Sequence, residues 1–402
     1  MLLDKNYDFK VDNSLVALNN GRGVAVENIR SQFVVVASTV KENSHISGIH
    51  VLGGTGHVNV SRSDISSNVG DGINVTYAGG SRNISRSSIL GNTGRGIAIW
   101  FNETSVKVPS DQETVVEYSE ISRNLEVGIL VGNFCGNAVV NISMNSLKGG
   151  KRPSIEVWSC WKPLKFGDTL MKLMIGHNRF IGNEDFGIKL NPLVNVEALI
   201  EHNYFYQQSR GCLLIKGVDK KELEILPAEV EVSNNVFEKN FGIFVASLGL
   251  NHNSPRQKLL FTQNFVRYNV IQEPLQLIPR SRVAAVIVVS SANVHVYRNV
   301  IQNPDSKYEI GSHMQDQSFE LNCTYNWLGH KEEKDVYYRV FDRKDRFNLA
   351  KIKFLPYLLS PTDPNTDITM SIPTFVPIFD TPEKIIGGEI TGKETLVNGE
   401  YK

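Results

Sequence analysis

The chain has 402 residues, with 42 basic and 42 acidic side chains, 41% hydrophobic residues and four cysteines. Balanced charge excludes an ordinary nucleic-acid binder, which concentrates Lys and Arg against phosphate. The longest apolar run, Val283 to Val289, is far below the ~20 residues of a membrane helix, and the opening MLLDKNYDFK has no signal-peptide core. What stands out is 37 Asn beside 32 Gly.

A repeat accounts for both. Going along the chain, SDISSNVGDGINV, SSILGNTGRGIAI, SEISRNLEVGILV, NRFIGNEDFGIKL and NVFEKNFGIFV share one pattern. An Asn or Ser position recurs at Ser63, Ser87, Ser119, Asn145, Asn178, Asn203, Asn235, Asn264, Asn299 and Asn326, at spacings of 24 to 35 residues. The short segments alternate with period two and carry no helical periodicity, so each unit is built from strands. Spacing that varies without loss of the pattern fits loops added at one edge of a coil. The expected fold is therefore all-β: a right-handed parallel β-helix of the pectin-lyase-like kind, with about ten or more coils. A propeller would need longer antiparallel blades joined by tight hairpins.

In such a solenoid a residue that recurs once per coil stacks on its own copies. Asn145, Asn178, Asn203, Asn235, Asn264, Asn299 and Asn326 are the expected structural ladder, with side-chain amides bonded along the axis. A second candidate ladder comprises Asn68, Asn92, Asn124, Asn183 and Asn240. The glycines at 72, 96, 128, 187, 211 and 242 are expected where a tight bend needs a positive φ. Residues 1–355 are expected to form the β-helix. Residues 356–402, with six of the 15 prolines, read as a Pro-rich linker and the cut start of a following module.

Catalytic signals are sparse. The expected outward row of the G-I-x-φ strands is Asn74, Ala98, Leu130, Glu156, Lys189, Leu213 and Phe244. It is a poor cation site or sugar cleft, and Glu156 with Lys189 reads as a solvent-exposed pair. Its apolar members, Leu130, Leu213 and Phe244, suit contact along the rod. His177 and His202 fall one coil apart, but no third metal ligand follows them. The segment RVFDRKDRFNLAKIKF reads as self-paired charge. No catalytic residue, metal ligand or cofactor is assigned. The alternative to a structural segment is a polysaccharide-acting enzyme or a glycan-binding module.

Cys212 is expected in the inward place of Ile188, and Cys323 in that of Val296. Cys135 and Cys160 follow corresponding strands one coil apart, within reach of a disulfide, or of stacked reduced thiols. N-glycosylation sequons fall at Asn59, Asn74, Asn83, Asn102, Asn141 and Asn322. Six is close to the number chance gives for this composition, so they are candidates only.

Several longer stretches, GDGINVTYAGG, RNISRSSILGNTGRGIAIW, LLFTQNFVRYN, IPRSRVAAVIVVSSANVHVYRNVIQNP, SKYEIGSH, CTYNWLG and YYRVFDRKDRFNLAKI, resemble the β-helix segments of the Bark beetle (Anakonda) family. The resemblance covers most of residues 20–355, and IIGGEITGKETL looks like the start of that family's next extracellular unit. It implies an invertebrate single-pass membrane protein of tricellular and septate junctions, with scavenger-receptor modules between β-helix segments. By that likeness the stretch is a non-catalytic, adhesive piece on the extracellular side, anchored only through segments absent from this sequence. Its implied partners are other junction or cell-surface proteins, a second copy of itself included.

Overall fold

The computed structural model describes residues 8–101, 112–134, 138–159, 170–217, 226–272 and 284–362. Their strands form three long parallel sheets of 13, 11 and 12 strands and one small sheet of two. One coil shows the plan. Met171–Gly176 lies in the first sheet, Arg179–Ile181 in the second and Phe186–Leu190 in the third. Each strand pairs in parallel with its copy in the next coil, Met171 opposite Val196 and Arg179 opposite Tyr204. Parallel strands joined by crossovers wind right-handed. The protein is a right-handed parallel β-helix, and its thirteen first-sheet strands span roughly 60 Å at the usual strand spacing.

Period-two alternation fills the interior. In the second sheet one inward column runs Ile65, Ile89, Ile121, Leu147, Phe180, Phe205 and Phe237, all buried. Phe180, Phe205 and Phe237 stack face to face, with centroids 4.5 and 4.7 Å apart. Most of the variation in coil length falls between the third and first sheets. The long passage from Arg267 to Ile287, between the second and third, is the exception.

The corners carry the specificity. Between the first and second sheets each coil places one residue in the left-handed region, then the Asn or Ser. Arg62, Arg86, Tyr118, Met144, His177, His202, Gln263, Arg298 and Tyr325 all hold it, with φ between 49° and 59°. L-residues pay roughly 1–2 kcal/mol for that conformation. The following Asn offsets the cost.

Asn235 shows how. Its Nδ2 donates to Asn264 Oδ1 above (3.0 Å) and to Ile200 O below (2.9 Å). Its own Oδ1 accepts both the backbone N–H (2.9 Å) and the amide (3.0 Å) of Asn203. One side chain thus ties three coils. The same bonds join Asn145 through Asn326 without a break. Below Asn145, serines hold the position in a weaker form. Ser63 accepts the Ser38 N–H (3.2 Å), but its hydroxyl turns back to Ser61 O (2.9 Å).

The second ladder, at the next corner, is longer than the sequence suggested. It runs Asn19, Asn43, Asn68, Asn92 and Asn124, and resumes as Asn183, Gln208, Asn240, Asn269 and Asn303. Gln208 stands in for Asn by accepting the Asn183 amide at 3.1 Å. At the top, Asn303 donates its N–H and its amide to the two carboxylate oxygens of buried Glu309, each at 2.7 Å. Arg339 binds Glu309 at 2.6 Å and so balances that charge.

The glycines have a different role from the one expected. Among those at 72, 96, 128, 187, 211 and 242, a positive φ occurs at Gly242 alone. The constraint is room. A Cβ on Gly72 would lie 2.7 Å from Gly96 O and 2.8 Å from the Asn92 amide, so the second ladder leaves no space for it.

The ladder has one gap. In the coil between Asn124 and Asn183 the position belongs to Gly150, whose N–H donates to Asn183 Oδ1 at 3.0 Å. The Asn124 amide donates to Ile89 O and finds no ladder partner above it among the described residues. A small cavity of about 10 Å³ is lined there by Asn124, Gly150 and Asn183. A Cβ on Gly150 would meet only ordinary contacts at 3.5 Å. Gly150→Asn should therefore close the gap and raise stability by about 1 kcal/mol, whereas Asn235→Ala should cost about 2–3 kcal/mol by orphaning the donors of Asn203. Denaturant midpoints of both variants test this; a destabilised Gly150→Asn would contradict it.

Candidate functional site

The outward row of the third sheet divides into a closed lower half and an open upper half. Its register reads Asn74, Ala98, Leu130, Glu156, Lys189, Leu214, Ser247 and Val288. Two expected members change. Phe186 stands opposite Gly211 and Ile188 opposite Leu213, so Cys212 and not Gly211 takes the place of Gly187, Leu213 turns into the core and Leu214 outward. Leu213, not Cys212, therefore stacks on Ile188, although Cys212 is also fully buried.

The lower half is filled. Ala98 and Leu130 are buried, and so is Glu156, whose side chain is 7% exposed. Glu156 accepts from Lys189 Nζ at 2.6 Å and from Trp158 Nε1 at 3.0 Å. Glu156 is thus buried rather than solvent-exposed, while Lys189 keeps partial contact with solvent. Trp158 packs edge-on against Trp100 at 6.0 Å, and Arg95 lies 5.7 Å from the Trp100 ring. Arg95 in turn binds Asp71 at 3.0 Å. The expected apolar contact row does not exist here: Leu130 and Leu213 are core, and Phe244 is half-buried in a ring stack.

The upper half opens into a groove of about 770 Å³. Phe186 and Phe244 stack across Gly211 with centroids 5.5 Å apart, an arrangement that a Cβ on Gly211 would obstruct. The Arg210 guanidinium lies 5.1 Å from the Phe186 ring and pairs with Asp185 at 3.3 Å. His252, His313 and Asp316 line the far end. Hydrogen bonds from the Ser318 hydroxyl (2.6 Å) and N–H (2.9 Å) hold Asp316 below the usual carboxylate range. Asp316 is therefore an anion at neutral pH and a poor general acid. Hydrolysis of a glycosidic bond takes two carboxyl groups, and among the described lining residues Asp316 is the only one. The groove is equipped to bind.

The other candidates are placed as follows. His177 and His202 stack at 4.8 Å with rings 9° from parallel, on left-handed corners beside the ladder. Stacked rings aim their nitrogens side by side instead of converging on an ion, and no group of three or more metal-ligating side chains occurs among the described residues. Cys323 is buried and burial pushes its thiol up, as it does for Cys212. Cys135, Cys160 and Asn102 lie outside the described residues. In the closing segment Lys344 pairs with Asp342 (3.8 Å) and Asp345 (3.4 Å), but Arg339 leaves it for Glu309. Sequence reasoning missed Glu309, Arg339 and also Arg82, a buried cation whose pKa burial lowers to about 10. Arg82 donates to Thr114 Oγ1 at 3.1 Å and lies 4.7 Å from the Phe101 ring. Nothing in the repeat pattern marked an inward Arg.

Fold, ladders and closed lower face define a β-helix solenoid whose side chains serve coil stacking. No protein-family model matches the chain. It is 46% identical to the protein bark beetle of Drosophila melanogaster over 418 aligned positions, which cover 98% of this chain and 13% of that protein. The chain belongs to the Bark beetle family.

The histidine stack gives a pH dependence. Burial, then the neighbouring His202, lowers the His177 pKa against an upward pull from Glu201. A base whose pKa falls on folding takes its proton more readily unfolded, so stability is lost as pH drops through the unfolded value of about 6.5. His50 and His295 shift the same way, chiefly by burial. The thermal midpoint should fall from about pH 7.5 to about pH 5.5. His177→Asn should shallow that fall, since Asn tolerates the left-handed corner as Asn234 does. An unchanged slope in the variant would remove His177 from the account.

Proposed function

We propose that this β-helix is a non-catalytic, load-bearing and adhesive segment of a cell-junction protein, displayed on the extracellular side of the membrane. The observation that carries the reading is the 46% identity along nearly the whole chain to the bark beetle protein. The site chemistry agrees with it: the buried polar groups are spent on stacking coils, and the lower third-sheet face is sealed by Trp158, Trp100 and the Glu156–Lys189 pair. No helix among the described residues is long and apolar enough to cross a membrane. A rod of this kind sets distance and presents side faces to other junction or cell-surface proteins.

The groove favours a second reading, a glycan-binding module, because Phe186, Phe244 and Arg210 offer an aromatic and cationic surface. The test of the first reading is a chimera. The bark beetle protein with its matching segment replaced by this chain should restore the epithelial dye barrier in tissue lacking the original, while deletion of the segment should not. A chimera that folds, reaches the cell surface and leaves the barrier open would sink it. Turnover of any acidic polysaccharide by the purified chain would replace it with an enzyme; saturable glycan-array binding abolished by Arg210→Ala would establish the second reading.

A further inference from the structure

Four of the six sequons stand in one outward column of the first sheet, three of them close together and Asn322 near its far end. Asn59 is opposite Asn83, Asn83 opposite Val115, and Val115 opposite Asn141. Within that column Asn83 is exposed, while Asn59 and Asn141 are half-buried. The strand Arg82–Ser85 is extended, so Asn83 and Ser85 share the outer side, with Asn83 exposed and Ser85 covered at 9% exposure. The remaining described sequons are already engaged. Asn74 is 9% exposed, donates its amide to Asp71 at 2.8 Å and accepts the hydroxyl of Thr76, its own sequon residue, at 2.6 Å. Asn322 accepts the Thr324 hydroxyl at 3.0 Å and lies 3.4 Å from His295 Nδ1.

We propose that Asn83 is the N-glycosylated residue of this face, that occupied Asn83 excludes a glycan on Asn59, and that Asn74 stays unmodified in the folded protein. The inference rests on the extracellular reading above. In the reaction the Asn83 carboxamide nitrogen forms a bond to the anomeric carbon of a lipid-diphosphate-linked oligosaccharide. The anomeric carbon–oxygen bond to the diphosphate breaks, the lipid diphosphate leaves, and the nitrogen gives up one proton. Asn59 and Asn83 sit one strand spacing apart, about 4.8 Å, less than a hydrated sugar needs. Asn141 is two strands beyond Asn83, with the shorter Val115 between them. A glycan on Asn83 would cover the lower first-sheet face and leave protein partners the other faces of the rod.

The test secretes the chain from insect cells behind a heterologous signal sequence and maps glycopeptides by mass spectrometry after enzymatic deglycosylation in heavy-oxygen water. Circular dichroism of the secreted protein checks the fold. Asn83 should be labelled and Asn74 bare. Ser85→Ala, with Asn83→Gln as a second variant should the first misfold, should lose that label and shift occupancy to Asn59. Bare Asn83 in folded protein, single molecules carrying glycans on both Asn59 and Asn83, or a glycan on Asn74 would each overturn the proposal. Because secretion is imposed, these outcomes do not depend on where the protein resides in its own cells. Antibody staining of intact cells decides that separately.

Discussion

The molecule depends on a side-chain amide that bonds upward and downward at once. A strand ladder satisfies backbone groups along the three flat faces but cannot follow the chain around a corner. There Asn supplies a donor and an acceptor in the geometry of a backbone peptide, and continues the hydrogen-bonding pattern through the bend. Once Asn145 to Asn326 hold that line, the residue before each can be left-handed whatever its type. Three-residue strands in the second sheet then suffice, because most, such as Tyr204–Tyr206, are pinned by a ladder at both ends. In each ladder link one amide N–H donates toward the later coil while the side-chain oxygen accepts from the earlier one. Such a row has a positive end, and Glu309 meets it with a carboxylate for the reason anions favour a helix N-terminus.

How far the sequence displays this follows from what recurs. Asn145 through Asn326 repeat once per coil, so the ladder was readable before any coordinates. The second ladder was legible only in part. Gln208 changes residue type, Gly150 breaks the series, and the chain beyond Asn240 drops the glycine that flagged the others. The left-handed corners were invisible, because Arg, Tyr, His and Met occupy them and the stabilising partner is the next residue. The glycines were noticed for a poor reason: Gly72 is small because Asn92 lies against it, a contact between coils and not a local turn. The candidate site was least legible. Whether Glu156 is solvated depends on Trp158 and Lys189, and Gly211, which stands opposite Phe186 rather than Gly187, placed the outward row on Leu213 instead of Leu214.

These corrections narrow where the rod can meet anything else. A face assigned to contact by alternation alone proves to be sealed over its lower half, while its upper half offers a groove with an aromatic pair and one well-stabilised carboxylate. A solenoid that spends its polar groups internally keeps its shape whatever its outer faces carry. The zero net charge fits that division: cations and anions stand in local pairs, Lys148 with Glu120, Arg267 with Glu238 and Lys351 with Glu320.

Because its hydrogen bonds run along the long axis, the solenoid meets an end-to-end pull as a chain of links in series. Each boundary between coils bears the full tension, so the yield point is set by the weakest boundary and not by the average. Gly150 marks such a boundary, where the amide link present in its neighbours is interrupted. The stack of phenylalanines begins one coil beyond that softer link, at Phe180, and continues through Phe205 and Phe237.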